Sequence, residues 1–166
     1  IVQGTAEIAS IVDHDGLRTF EIEFPEGFCE GLAIGASVSV DGVCLTVTKI
    51  LSPTRAFFDV MYQSLKITTL GDYAQGQRVN VERAAKDGAE IGGHPLSGHV
   101  DFFAVVDRVV EMDANKMIRF SVPSEFMRYI FAKGYIAVNG CSLTISDASK
   151  TENWFEVWLI PETRHP

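Results

Sequence analysis

Apolar and polar residues alternate along most of this chain, and turn residues break the alternation at short intervals. The clearest stretch is Val40-Asp41-Gly42-Val43-Cys44-Leu45-Thr46-Val47. Asp-Gly between alternating flanks predicts a two-residue hairpin, because a type I′ turn needs φ > 0 at both central positions. Past the turn, Val43, Leu45 and Val47 point one way and Cys44 and Thr46 the other, since strand side chains alternate in direction. The same pattern returns in Val138-Asn139-Gly140-Cys141-Ser142-Leu143-Thr144-Ile145, where Ser142 and Thr144 form the polar pair. Each pair either faces water across from a core or lines a pocket.

The two stretches are 98 residues apart, and the offset holds well beyond them: Val2 with Val100, Ala6 with Ala104, Asp15 with Asp113, Pro25 with Pro123, Phe28 with Phe126. A constant displacement over most of half the chain implies two tandem copies of one small domain. Short strands between turn signals favour an all-β barrel or sandwich over a parallel α/β fold. The boundary is expected in the linker, with residues 1–92 forming the first unit and 93–166 the second. The first copy ends on a turn at Thr69-Leu70-Gly71-Asp72 and a strand at Arg78-Val79-Asn80-Val81-Glu82, for which the second copy has no counterpart. The second unit is therefore expected to lack its last segment, and the start on Ile-Val without Met suggests that a few residues precede Ile1.

Within the first copy, Ile1 to Val12 reads as a strand, Asp13-His14-Asp15-Gly16 as a turn, and Thr19 to Phe24 as a second strand. Pro25 and Glu26 predict the start of a short helical segment with Phe28 and Leu32 packed inward. Pro123-Ser124-Glu125-Phe126 repeats the signal, with Ile130 beside Phe126. A further strand, Phe57 to Met61, is matched by Phe155 to Leu159, and Pro161 ends the second or leaves it on an edge. Residues 85–98 join the copies with four glycines, a proline and His94. His94 and His99 lack metal-site spacing and are joined by no cysteine or carboxylate cluster.

Composition narrows the partners. The chain has 166 residues, 46% hydrophobic, with no run long enough to span a membrane. A net charge of −8 argues against nucleic acid, which needs a basic field. Three cysteines, Cys29, Cys44 and Cys141, lack metal spacing and fit a reducing, cytoplasmic setting without disulfides.

At Gly92-Gly93-His94-Pro95-Leu96-Ser97-Gly98-His99-Val100-Asp101 the pattern becomes specific. Together with Ile1-Val2-Gln3-Gly4, Gly42 to Val47, Val79 to Ala84, Gly140 to Thr144 and Leu159-Ile160-Pro161-Glu162-Thr163, it resembles the α-chain type of riboflavin synthase over essentially the whole chain. The resemblance implies two similar six-stranded antiparallel β-barrels followed by a helix that holds a homotrimer together. It implies dismutation of two molecules of 6,7-dimethyl-8-ribityllumazine to riboflavin and a ribitylamino-pyrimidinedione, with no metal or organic cofactor. The chain departs from the family pattern at both ends, where a Met-Phe-x-Gly start and the trimer helix are absent. Two equal substrates give the repeat a chemical reason: two similar pockets, facing each other between neighbouring subunits.

The binding positions that the resemblance carries over are Ile1, Val2, Cys44, Leu45, Thr46 and Asp59, Val60, Met61, Tyr62, Gln63, Ser64 for the first barrel. For the second they are Gly98, His99, Val100, Ser142, Leu143, Thr144 and Ile160, Pro161, Glu162, Thr163, Arg164, His165, with Lys133 resembling a residue that reaches across from another subunit. Gln63 stands where the family usually has Glu. His99, Cys44, Ser142 and Thr144 are the expected catalytic residues: His99 as base or relay, Cys44 as donor, acceptor or thiolate. The rival implied by the same likeness is a non-catalytic lumazine- or flavin-binding antenna protein of the same fold.

Overall fold

The structure, a computed structural model, describes residues 2–90 and 92–164. The first copy contains β1 (Gly4–His14), β2 (Leu17–Glu23), β3 (Ser37–Val40), β4 (Val43–Ser52), β5 (Arg55–Met61) and β6 (Arg78–Arg83). They close into a barrel in the order β1-β2-β5-β4-β3-β6, with β6 pairing back to β1. Alternation supplies the core: Val38 and Val40, Val43, Leu45 and Val47, Ala56, Phe58 and Val60, and Val79 and Val81 all point inward and are buried. After β5 the chain makes a short helix, α1 (Tyr62–Ile67), and a 3-10 turn over Thr69–Asp72. Buried Thr68 holds the junction, its hydroxyl accepting from the Leu70 N–H and donating to the Ser64 carbonyl.

The second copy repeats the plan with β7 (Val105–Glu111), β8 (Lys116–Ser121), β9 (Tyr135–Val138), β10 (Cys141–Ser149) and β11 (Trp154–Leu159), then α2 (Pro161–Arg164). Its order, β7-β8-β11-β10-β9, is that of the first five strands of the barrel. The all-β architecture in two repeats follows the sequence pattern, and the closed six-stranded first barrel agrees with what the family resemblance implies. Even the irregularities repeat. β1 bulges between Ile8 and Ser10 and β7 between Val106 and Arg108; β4 bulges between Val47 and Lys49 and β10 between Ile145 and Asp147.

Two expectations are corrected. The helical segment after Pro25 is a run of turns, with N–H bonds from Phe28 to Pro25, Glu30 to Gly27 and Leu32 to Cys29. Gly27 and Gly31 sit at φ 81° and 63°, which breaks any helix there. The second copy, without those glycines, forms a 3-10 helix over Ser124–Tyr129 that places Met127 and Ile130 in the core. In both copies the phenylalanine of this segment stacks on another ring, Phe28 on Phe24 at 4.5 Å and Phe126 on Phe102 at 4.3 Å.

The second correction is one of register. An offset of 98 carries Val47 to Ile145, but their partners Phe58 and Val157 are 99 apart. β4 has a second bulge near its end and meets β5 through Pro53-Thr54, whereas β10 has none and uses a four-residue turn, 150–153. The difference is one residue. A one-residue slip would turn a strand inside out, so β11 re-registers, and Phe155 and Val157 face the core as Ala56 and Phe58 do. Tyr62 and Pro161 consequently begin equivalent helices, and Gln63 corresponds to Glu162.

The two copies touch through their hairpins. Asp41 and Gly42 have φ 44° and 84°, Asn139 and Gly140 46° and 81°, as the Asp-Gly and Asn-Gly pairs predict. The tips meet so closely that a Cβ on Gly42 would lie 2.7 Å from the Gly140 nitrogen. Asn80 Nδ2 donates to the Asn139 carbonyl at 2.9 Å, tying β6 to the second hairpin.

Beneath this joint the Asp41 carboxylate accepts the Asn80 N–H at 2.7 Å and the Tyr73 hydroxyl. Burial raises the Asp41 pKa above the ordinary carboxylate value, against the opposing pull of those hydrogen bonds. A carboxyl raised in the folded state binds its proton more tightly there than in the unfolded chain. Its contribution is therefore most favourable at low pH and is lost as pH rises through the folded-state pKa. The second copy has neutral Asn139 at this place. We expect Asp41→Asn to raise the urea midpoint at neutral pH, with the gain vanishing below the carboxylate range; a lower midpoint at pH 7 would show that the charge stabilises the joint.

Candidate functional site

The polar pairs lie outside the β-structure's cores, on its outward faces. Val43, Leu45 and Val47 are buried while Cys44 and Thr46 are exposed; Leu143 and Ile145 are buried while Thr144 is exposed and Ser142 half-buried. Of the cysteines, Cys29 is buried and Cys141 half-buried, and burial pushes both thiols up. Cys44 is the exposed one of the three.

What makes these faces sites is the linker. The β4–β5 ladder runs from Val47 onward, which leaves Cys44 beyond its end. Buried or edge N–H groups need acceptors, and the Gly98 carbonyl provides one to the Cys44 N–H at 2.9 Å. A Cβ on Gly98 would stand 2.4 Å from the Cys44 Cβ and 2.7 Å from its nitrogen, so only glycine fits. Val100 then packs on the core of the first barrel. Gly98, His99 and Val100, grouped with the second barrel by the repeat, thus lie along the first. Chain order is a poor guide here because the linker crosses from one unit to the other and back.

On the second unit the same linker lies against Ser142. His94 donates its backbone N–H to Ser142 Oγ at 3.3 Å, its Nδ1 lies 2.6 Å from the same oxygen, and its ring stacks on Tyr135 at 4.2 Å. His94 and Tyr135 are not among the site residues expected from the sequence. The signal was the doublet Gly93-His94, which anticipates Gly98-His99 five residues later. His99 is exposed, with its N–H bonded to Ser97 Oγ at 3.2 Å.

The remaining positions divide by orientation. Leu45, Val60, Leu143 and Val100 turn their side chains to the cores, so only their main chain can meet a ligand. Asp59 faces outward but accepts the Thr19 hydroxyl at 2.7 Å. Met61, 71% exposed, leads with Tyr62 and Gln63 into an open shelf, and Ser64 is half-buried. The β4–β5 register sets this shelf at the same end of the barrel as Cys44 and Thr46. Ile160, Pro161 and Glu162 form the corresponding exposed shelf of the second unit, with Thr163 and Arg164 half-buried behind it and Arg164 3.6 Å from Glu111. Val2 is half-buried just before β1, whereas Ile1 and His165 lie outside the described residues.

Lys133 donates its N–H to the Ile145 carbonyl at 2.8 Å, as Gly35 does to Val47. Gly35 holds φ 86° without cost; Lys133 holds 67° against its own Cβ. A bulky residue kept at positive φ beside a candidate site is the kind of strain that function retains.

The repeated unit with this site is a lumazine-binding domain: the family profile of that name, Lumazine binding domain, matches residues 1–84 and 97–165. The riboflavin synthase of Escherichia coli K12 is 46% identical over 164 residues, covering 98% of this chain and 76% of that protein. That of Chlamydia pneumoniae is 43% identical over 163 residues, with 98% and 78% covered. Among solved structures, LumP complexed with riboflavin superposes with a TM-score of 0.89 at 26% identity, covering 99% of this chain and 87% of that one. LumP with 6,7-dimethyl-8-(1'-D-ribityl) lumazine gives 0.86 at 26% identity, with 98% and 86% covered. This chain belongs to the riboflavin synthase family and is an enzyme of that type.

Proposed function

We propose that the chain binds 6,7-dimethyl-8-ribityllumazine on both outward faces and dismutates two molecules to riboflavin and 5-amino-6-(D-ribitylamino)uracil. The observation that carries this is the doubled site: Cys44 with Thr46, and Ser142 with Thr144, on equivalent strands, each touched by its own Gly-His of the linker. One substrate used twice calls for such a pair. The substrate in one LumP structure, on the same fold, supports the ligand class.

The chemistry asked of the protein is modest. A proton leaves the C7 methyl of one lumazine, and the anion spreads into the ring. Exposed hydroxyls, the Cys44 thiol and main-chain N–H groups of the strands stabilise that charge. His99, next to Gly98 on the linker, acts as base or relay. Holding two aromatic rings face to face supplies effective concentration for the four-carbon transfer. Gln63 and Glu162, equivalent positions on the two shelves, hold the ribityl hydroxyls, one as a neutral amide and the other as a carboxylate. No metal or organic cofactor takes part in this scheme. A homotrimer, in which the first barrel of one subunit faces the second of its neighbour with Lys133 reaching across, and a cytoplasmic setting complete the proposal.

The structural likeness to LumP favours a second reading, a non-catalytic antenna. Against it stand the presence of His94, His99 and Cys44, with His94 bonded to Ser142 and Gly98 to Cys44, and the higher identity to the synthases. Incubating the metal-free protein with the lumazine and separating the products decides between them. Riboflavin is expected; a tightly bound fluorescent lumazine with no product would establish the antenna.

A further inference from the structure

Ser142 and Cys44 occupy equivalent positions, yet their surroundings differ. Cys44 is exposed and its N–H donates to the Gly98 carbonyl of the linker, while Ser142 is half-buried and its side chain is engaged twice by His94. The imidazole is itself clamped: its plane lies 1° from parallel to Tyr135, centroids 4.2 Å apart. The first barrel has Ser37 where the second has Tyr135, each opposite the threonine of its polar pair, so no such clamp can form there. Gly93, at φ 74°, brings the linker close enough that a Cβ on it would meet the Ser142 Cβ at 3.4 Å.

Ser142 Oγ accepts the His94 backbone N–H, and at 2.6 Å its own proton has an acceptor in Nδ1. A hydroxyl donating inward presents a lone pair outward. We propose that His94 is a positioning residue for Ser142: it holds the serine proton on the linker side, as the Nε2–H tautomer of a ring kept in place by stacking on Tyr135, so that the site of the second unit offers the substrate an oriented acceptor while the first barrel offers a thiol. This rests on the dismutase reading given above, and it makes the two lumazine sites chemically unequal.

A double-mutant cycle tests the proposal. His94→Ala and Ser142→Ala are each expected to lower kcat by about 10- to 100-fold with KM changed less than about threefold, since oriented acid–base groups act in the transition state. The double variant should be no slower than Ser142→Ala alone, because the two side chains act as one unit. His94→Asn, which keeps an acceptor near the Nδ1 position, should recover most of the loss and remains informative if the alanine variant folds poorly. Losses that multiply, or that fall on KM alone, would overturn the proposal. The 15N spectrum of the His94 ring gives a readout independent of turnover. A bare, hydrogen-bonded Nδ1 that changes in Ser142→Ala supports the dyad even if the wild type makes no riboflavin, whereas an unchanged His94 spectrum refutes it.

Discussion

Gly98→Ala is expected to cut riboflavin formation by at least about 100-fold, because displacing catalytic groups by an ångström costs that much. The added methyl would lie 2.4 Å from Cys44 Cβ, 2.7 Å from its nitrogen and 2.9 Å from its Cα. These are atoms of a barrel strand and cannot give way as the end of a long side chain would. The linker must therefore lift, the Cys44 N–H loses the Gly98 carbonyl, and His99, the next residue, moves with it. The barrel core is untouched apart from the contact of Val100, so the thermal midpoint should fall far less than the activity does. Steady-state turnover beside a melting curve checks both. Wild-type kcat in a folded Gly98→Ala protein would mean that the linker's contact with Cys44 has no part in the reaction.

Phe58→Ala is the counterpart on the stability side. Phe58 is fully buried on β5, opposite Phe20 on β2 and Val47 on β4, with the Phe24 ring 6.0 Å away. Removing a buried aromatic ring typically costs about 3–5 kcal/mol, from lost transfer energy and the cavity left behind. That is a large share of the total of roughly 5–15 kcal/mol expected for a domain. β5 also carries the Met61–Ser64 shelf at its end, so the variant should lose lumazine binding as the barrel loosens. Urea unfolding measures the loss; a change under about 1 kcal/mol would mean that the barrel interior collapses around the gap.

Much of this architecture was legible in the residues themselves. Asp-Gly and Asn-Gly specify their turns by local backbone chemistry, and both hairpins adopt the positive φ values they demand. The apolar alternation fixed which side of β4 and β10 is core, and hence that Cys44, Thr46 and Thr144 face outward. The misreadings came from effects that local patterns do not carry. Bulges consume residues without leaving a signature, so the shift of β11 by one position, and with it the equivalence of Gln63 and Glu162, became visible only through hydrogen-bond register. Gly27 and Gly31 are both small and turn-forming, and the Pro25 signal concealed that they break the helix it starts. Nothing in the glycine-rich linker says which neighbour it will touch. Gly98 on Cys44 and His94 on Ser142 are tertiary contacts across 54 and 48 residues of chain.

The central claim is that two equivalent sites serve two molecules of one substrate. The most direct test follows lumazine loss, riboflavin and the ribitylamino-pyrimidinedione in one metal-free reaction. The account predicts that two lumazines disappear for each riboflavin, with the pyrimidinedione appearing in equal amount to the riboflavin. Riboflavin formed in any other proportion, or lumazine bound and never consumed, would contradict it.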